Sequence, residues 1–247
     1  MIDWSENTMS SDFLFLSPHW PGLDGVRAYT VAGARAASDV DFKGVDELAI
    51  RSRHALEQFI GPTTSLRWLE QPHGRRAVRL PDASDMLADG AVTDVPGVVC
   101  AMRSADCLPV FFAVTGARSV GIAHAGWKGL RDGVIVSTFE ALEARPSDVF
   151  VWLGPAISGP HYEVGDDIRE EFAGSPFATE GVFKTRPYGK YQMDLYAFAR
   201  STLQALGIPV ENISGGGFCT FSDVRLHSVR RDGKAAGRMA SLIWIER

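Results

Sequence analysis

The sequence predicts an α+β fold: a single domain over residues 1–247, with a mixed β-sheet core and flanking helices. Three observations carry that prediction. Short apolar runs that read as strands follow one another without a helix between them, at residues 98–102, 108–114 and 119–123. Stretches of helical character lie at residues 45–60, 130–144 and 195–206, too irregularly placed for a repeating βαβ array. No Pro/Gly/Ser-rich linker, charge run or internal repeat divides the chain.

Taken in order, residues 1–25 read as an entry segment broken by Pro18, Pro21 and Gly22, and residues 26–31 as the first strand. A loop over 33–44 leads to the helix of 45–60, which Gly61-Pro62 ends. Strands at 66–70 and 76–80 flank the turn Gln71-Pro72-His73-Gly74, and the small, polar residues 81–91 are expected to be irregular. Beyond the three central strands, the helix of 130–144 stops at Pro146, and a buried strand at 149–153 ends on Gly154-Pro155. A helix over 166–173 and an irregular, aromatic-rich stretch over 174–192 follow. Asp194 caps an amphipathic helix whose Leu195, Phe198, Thr202, Leu203 and Leu206 fall on one face, with Gly207 after it. A strand near Phe218 and closing strands at 224–229 and 241–245 complete the reading.

Composition narrows the function. A hydrophobic share of 45% with 22% charged residues is ordinary for a globular protein, and a chain of this length buries enough surface to need no disulfides. The net charge of −5 gives no basic footprint, so no nucleic-acid partner is expected. Three cysteines, odd in number and not spaced as CxxC, suit a reducing cytoplasm. No basic, apolar leader and no membrane-length apolar run is expected, which points to a cytoplasmic protein acting on a small molecule, as monomer or homodimer.

The polar chemistry collects at strand ends. Ser104-Ala105-Asp106-Cys107 joins two apolar runs, and His124-Ala125-Gly126-Trp127-Lys128-Gly129 follows a third. His73, Cys107 and His124 can converge. Two imidazoles and a thiolate leave a tetrahedral zinc with an open position, the arrangement of a catalytic site, with a bound water acidified to a pKa of about 7. The same residues also read as a Cys–His nucleophile pair with Cys107 as thiolate, and a buried Cys is often only a small apolar residue. Asp106 reads as a proton carrier or as a turn residue. Lys128, Arg230, Arg231 and Arg238 read as anion-binding groups or as solvated surface, and Glu163 as a general acid/base or a loop carboxylate. Cys100 and Cys219 read as packing residues.

Taken together, QPHG, SADCLPVFF, HAGWKG, GPAIS…YEVG and RRDG…GRMASLIW, in this order over residues 66–247, closely resemble the laccase-domain family. The family is also described as multicopper polyphenol oxidase or peptidoglycan editing factor. The resemblance implies a fold like that of certain putative cysteine hydrolases. It implies a metal held by His73, Cys107 and His124, zinc with copper as the alternative. It further implies phosphorolysis of adenosine, inosine and methylthioadenosine, and deamination of adenosine. Cys107 and Asp106 would then be catalytic, and Lys128, Arg230 and Arg231 would bind nucleoside and phosphate. The alternatives are a cysteine hydrolase on peptidoglycan precursors and a non-enzymatic nucleoside-binding protein. Multicopper oxidation needs several coppers and many histidines, and the chain has six His. Residues 29–41 depart from the family pattern: the Arg and Asn of the usual FTTRxGG-like and SLNLG-like segments are not in place, and Arg35 is the nearest basic residue.

Overall fold

In the computed structural model, residues 4–8 and 12–247 are described. The strands are β1 (Trp4–Thr8), β2 (Phe13–Pro18), β3 (Val26–Gly33), β4 (Ser65–Trp68), β5 (Ala77–Leu80), β6 (Gly90–Thr93), β7 (Val98–Ser104), β8 (Leu108–Val114) and β9 (Val120–Ala125). They continue as β10 (Val149–Leu153), β11 (Glu163–Gly165), β12 (Phe183–Arg186), β13 (Lys190–Met193), β14 (Ile213–Gly215) and β15 (Met239–Ile245). The α-helices are α1 (Glu47–Ile60), α2 (Trp127–Asp132), α3 (Val134–Leu142), α4 (Asp166–Glu170), α5 (Leu195–Ala205) and α6 (Val229–Asp232).

Two six-stranded mixed sheets are formed, ordered β1-β2-β3-β15-β7-β4 and β14-β10-β8-β9-β6-β5, with a small third sheet β11-β13-β12. The strand alternation shows how the layers stack. Cys100 and Met102 of β7 point to a core shared with Phe111 and Ala113 of β8, so the two large sheets pack face to face. Val99 and Ala101 point the other way, onto Leu56 and Ile60 of α1. Val110 and Phe112 point outward from the second sheet onto a cluster that includes Leu142 of α3 and Phe198 and Leu203 of α5. The α+β expectation holds as four layers: helix, sheet, sheet, helix. Both faces of the central strands are covered, which is why they read as unbroken apolar runs.

The helix α5 begins where its cap predicts, the Asp194 carboxylate accepting the amide of Ala197; α1 begins at Glu47, capped by Asp46, which accepts the amide of Ala49. Other expectations are corrected. The entry segment holds a hairpin, β1–β2, because Phe13 to Leu16 form an apolar run ahead of the breakers. Residues 90–93, assigned to no element from the sequence, form buried strand β6 between β5 and β9. The single helix of 130–144 is two, α2 and α3, split at Gly133 with φ of +90°. The aromatic stretch of 174–192 contains the β12–β13 hairpin. The strand near Phe218 is instead β14, just upstream. No strand forms over 224–229; the Arg231 guanidinium instead holds the turns of this region, taking the carbonyls of Thr220, Phe221, Asp223 and Leu226.

Candidate metal and anion site

One feature of the topology gathers the site. Strands β4 and β7 run parallel in the first sheet, and each is followed by a loop that crosses to the second sheet, to β5 and β8 respectively. Both crossing loops therefore leave from the same end. The first carries His73 and the second carries Asp106 and Cys107. The Gln71 side chain ties them together, donating to the Arg103 carbonyl at 2.7 Å and accepting the Arg103 amide at 2.9 Å. β9 pairs antiparallel with β8 so that His124 sits opposite Pro109, beside Cys107.

The ligand atoms of His73, Cys107 and His124 all lie within 4.8 Å of one another. The two imidazole rings meet edge to face at 4.8 Å. Two glycines of HAGWKG make this approach possible. A β-carbon on Gly126 would sit 2.7 Å from Cys107 Sγ, and one on Gly129 would crowd the carbonyls of His124 and Gly74 at 3.1 and 3.2 Å.

The sequence reading missed Asp89, which organises the triad. It is wholly buried. Oδ1 accepts from His124 Nδ1 at 2.8 Å and from the His73 amide at 3.1 Å, while Oδ2 accepts from the Gly74 amide at 2.6 Å. With Nδ1–H committed to Asp89, His124 presents Nε2 toward the site. The same bonds hold His73 in the left-handed region, at φ of +66°. The available signal was an acid set among small residues, Ala88-Asp89-Gly90-Ala91.

The donor set fits a zinc ion. A tetrahedral ion with bonds of about 2.0–2.3 Å spaces its ligands roughly 3.5 Å apart, a closure that side-chain rotation can supply. Burial alone would push the Cys107 thiol up, but His124 and hydrogen bonds from both histidines outweigh it and bring it down to about 6. Burial would likewise push His124 down, but Cys107 and Asp89 raise it to about 9. Between these values the metal-free protein holds a thiolate–imidazolium pair. As pH falls through about 6 the thiolate is protonated, and as it rises through about 9 the imidazolium is lost. Two consequences follow for metal-free protein. Alkylation of Cys107, followed by peptide mass spectrometry, should titrate with a midpoint near 6, and zinc affinity should fall below that pH. An ordinary thiol midpoint would contradict the pairing.

The triad opens on a cavity of about 610 Å³. Asp106, Ser104 and Tyr162 line it, with Lys43, Arg103, Arg230 and Arg238 forming a cationic wall. Asp106 is clamped at φ of +86°. Its Oδ1 accepts from Thr220 Oγ1 at 2.6 Å, its Oδ2 from the Arg230 amide at 2.8 Å, and its carbonyl from the Ile157 amide. Arg230 lies over the Tyr162 ring, 5.0 Å from its centroid. Arg103 lies over Trp68 at 4.2 Å and donates to the Phe42 carbonyl. The Ser104 hydroxyl is buried without a hydrogen-bond partner.

The sequence-derived candidates divide accordingly. His73, Asp106, Cys107, His124, Arg230 and Arg238 come together at the cavity. Lys128 does not: it is exposed on α2, its Nζ 5.6 Å from the Trp127 ring. Arg231 is occupied by backbone carbonyls and Asp232, and Glu163 reaches the site only through its carbonyl, which accepts from Arg230. Arg35 is exposed beside Asp12 and Asp39 and does not line the cavity. Ser104, noted as part of the SADC segment, also lines the cavity, whereas Lys43, Arg103 and Tyr162 had escaped notice.

The model of the multi-copper polyphenol oxidoreductase laccase family matches residues 42–246. The chain belongs to this family. Among relatives, the Haemophilus influenzae protein named purine nucleoside phosphorylase is 36% identical over 245 residues, covering 94% of this chain and 99% of its own. The Escherichia coli purine nucleoside phosphorylase YfiH is 42% identical over 182 residues, covering 72% of this chain and 73% of its own. Crystal structures agree across the laccase-family fold. Neisseria meningitidis protein NMB0706 superposes with a TM-score of 0.82 at 32% identity over 99% of this chain and 100% of its own. YlmD from Geobacillus stearothermophilus gives 0.84 at 25% identity over the whole of both chains.

Proposed function

We propose that this protein is a zinc-dependent purine nucleoside phosphorylase acting on adenosine, inosine and methylthioadenosine, with deamination of adenosine in the same cavity. The observation that carries the reading is the single cavity in which the His73–Cys107–His124 triad faces four cationic side chains. Hydrolysis needs no anion site, whereas phosphorolysis must hold phosphate against C1′ of the ribose. The names of the relatives point the same way.

His73, Cys107 and His124 would hold the zinc ion, which would supply Lewis acidity when bound. The chain's own residues do the rest. Arg230, Arg103, Arg238 and Lys43 bind phosphate and align its oxygen with C1′. Tyr162, backed by Arg230, offers a face for the purine. The buried Ser104 hydroxyl is available to the sugar or base. Asp106, fixed by Thr220 and the Arg230 amide, handles the proton that the departing base requires.

Arg230→Met tests the anion assignment, since the main-chain amide that holds Asp106 survives the change. The Michaelis constant for phosphate should rise about tenfold or more, the loss of one charge-assisted contact, with kcat less affected. Lys128→Met, outside the cavity, should leave it unchanged. An unaltered phosphate constant in Arg230→Met would remove Arg230 from the phosphate site.

A second reading rests on the Cys107–His124 pair, whose charge state is also that of a cysteine nucleophile. It has Cys107 attacking a peptidoglycan precursor without metal. Activity that resists chelation but is abolished by iodoacetamide would favour it.

A further inference from the structure

A second cysteine–histidine pair lies outside the cavity. Cys219 Sγ is 3.4 Å from His161 Nδ1 and accepts the Ser158 hydroxyl at 3.0 Å. The Ser222 hydroxyl is 3.5 Å from both ring nitrogens of His161. Phe221 stacks on the His161 ring at 4.8 Å and 19°, which fixes its orientation. His161 is exposed, Cys219 is partly so, and the thiol borders a shallow groove of about 560 Å³ that Ser222 also lines. None of these residues lines the metal cavity. The expectation that Cys219 merely packs is therefore corrected, whereas Cys100 is wholly buried.

We propose that Cys219, with His161 as its proton acceptor and Ser158 and Ser222 as hydroxyl donors, is a modification site at which hydroperoxides oxidise the thiol to sulfenic acid.

In the reaction His161 Nδ1 takes the thiol proton and the sulfur attacks one peroxide oxygen. The S–O bond forms as the O–O bond breaks, so sulfur loses two electrons and the peroxide gains them. His161 returns the proton to the departing oxygen, which leaves as water or an alcohol. The serine hydroxyls are placed to hold the peroxide oxygens and the charge on sulfur. Electrostatics agree with the geometry: burial would push the Cys219 thiol up, yet hydrogen bonds from the hydroxyl and amide of Ser158 and Ser222 bring it down to about 6. Cys100, with burial and no compensating donor, is pushed up to about 12 and serves as an internal control.

The test uses the full-length, zinc-loaded protein, in which Cys107 is a ligand. It is treated with hydrogen peroxide at pH 7 with dimedone as the sulfenic-acid trap, and adducts are quantified for each cysteine by peptide mass spectrometry. The expected result is Cys219 labelling about tenfold or more faster than Cys107 or Cys100, slowed about tenfold in His161→Gln. His161 is exposed, so unchanged thermal melting of that variant confirms that folding is intact. Labelling of Cys219 no faster than that of Cys100 would overturn the proposal, as would a rate indifferent to His161→Gln. The readout is chemical, so it stands apart from whether the enzyme turns over nucleosides.

Discussion

Cys107→Ala should empty the metal site and abolish phosphorolysis while leaving the fold intact. The thiolate is the one anionic ligand of the triad, and its turn is held independently by Asp106, through Thr220, the Arg230 amide and the Ile157 amide. Loss of an outer-shell partner alone costs metal sites about 10–100-fold in affinity, so loss of a ligand should exceed that. Zinc per chain after dialysis should fall to about a tenth or less, with nucleoside turnover falling in parallel. Melting of the metal-free mutant and metal-free wild type should coincide to within a few degrees. Full zinc retention would remove Cys107 from the ligand set.

Asp89→Asn should have the second largest effect, on stability as well as affinity. One buried carboxylate accepts two main-chain amides and the His124 Nδ1–H. An amide of the same shape has one acceptor oxygen, so its NH2 must face a donor. At least one buried donor is then left unpaired, and the charge that supports the imidazolium is gone. The cost should be about 3 kcal/mol. For a chain of this size that lowers the melting temperature by about 6–12 °C. Zinc affinity should drop about 10–100-fold, because His124 loses its fixed tautomer and His73 loses its anchored backbone. Melting curves with and without zinc separate the two effects. A variant that melts and binds zinc like the wild type would show that Asp89 does not organise the site.

The candidate ligands were legible in the sequence because each lies at the end of an apolar run: His73 in the glycine-bounded QPHG turn, Cys107 in the turn between β7 and β8, and His124 near the end of β9, two residues before Gly126. Asp89 was not, since its importance comes from contacts with a neighbouring strand and the 73–74 turn that no local pattern records. The same holds for Lys43 and Tyr162, on the segments that follow β3 and β10, and for Arg103 near the end of β7. Local chemistry also misdirected: Lys128 lies in a distinctive motif, yet α2 turns it to solvent. Arg231 looked like an anion grip but binds its own backbone. In the core, unbroken apolar runs announced strands, and only their alternation in three dimensions separated one sheet from two. The paired strands β1 and β2 were obscured by the breakers Pro18, Pro21 and Gly22, and β6 by its small residues.

The most direct measurement gives the zinc-loaded protein adenosine with and without inorganic phosphate, and quantifies adenine, hypoxanthine, ribose 1-phosphate and inosine. The account predicts ribose 1-phosphate equal to the sum of adenine and hypoxanthine, with both bases dependent on phosphate and lost in Cys107→Ala, and with inosine from the accompanying deamination. Stoichiometric zinc with no phosphate-dependent release of either base would contradict it.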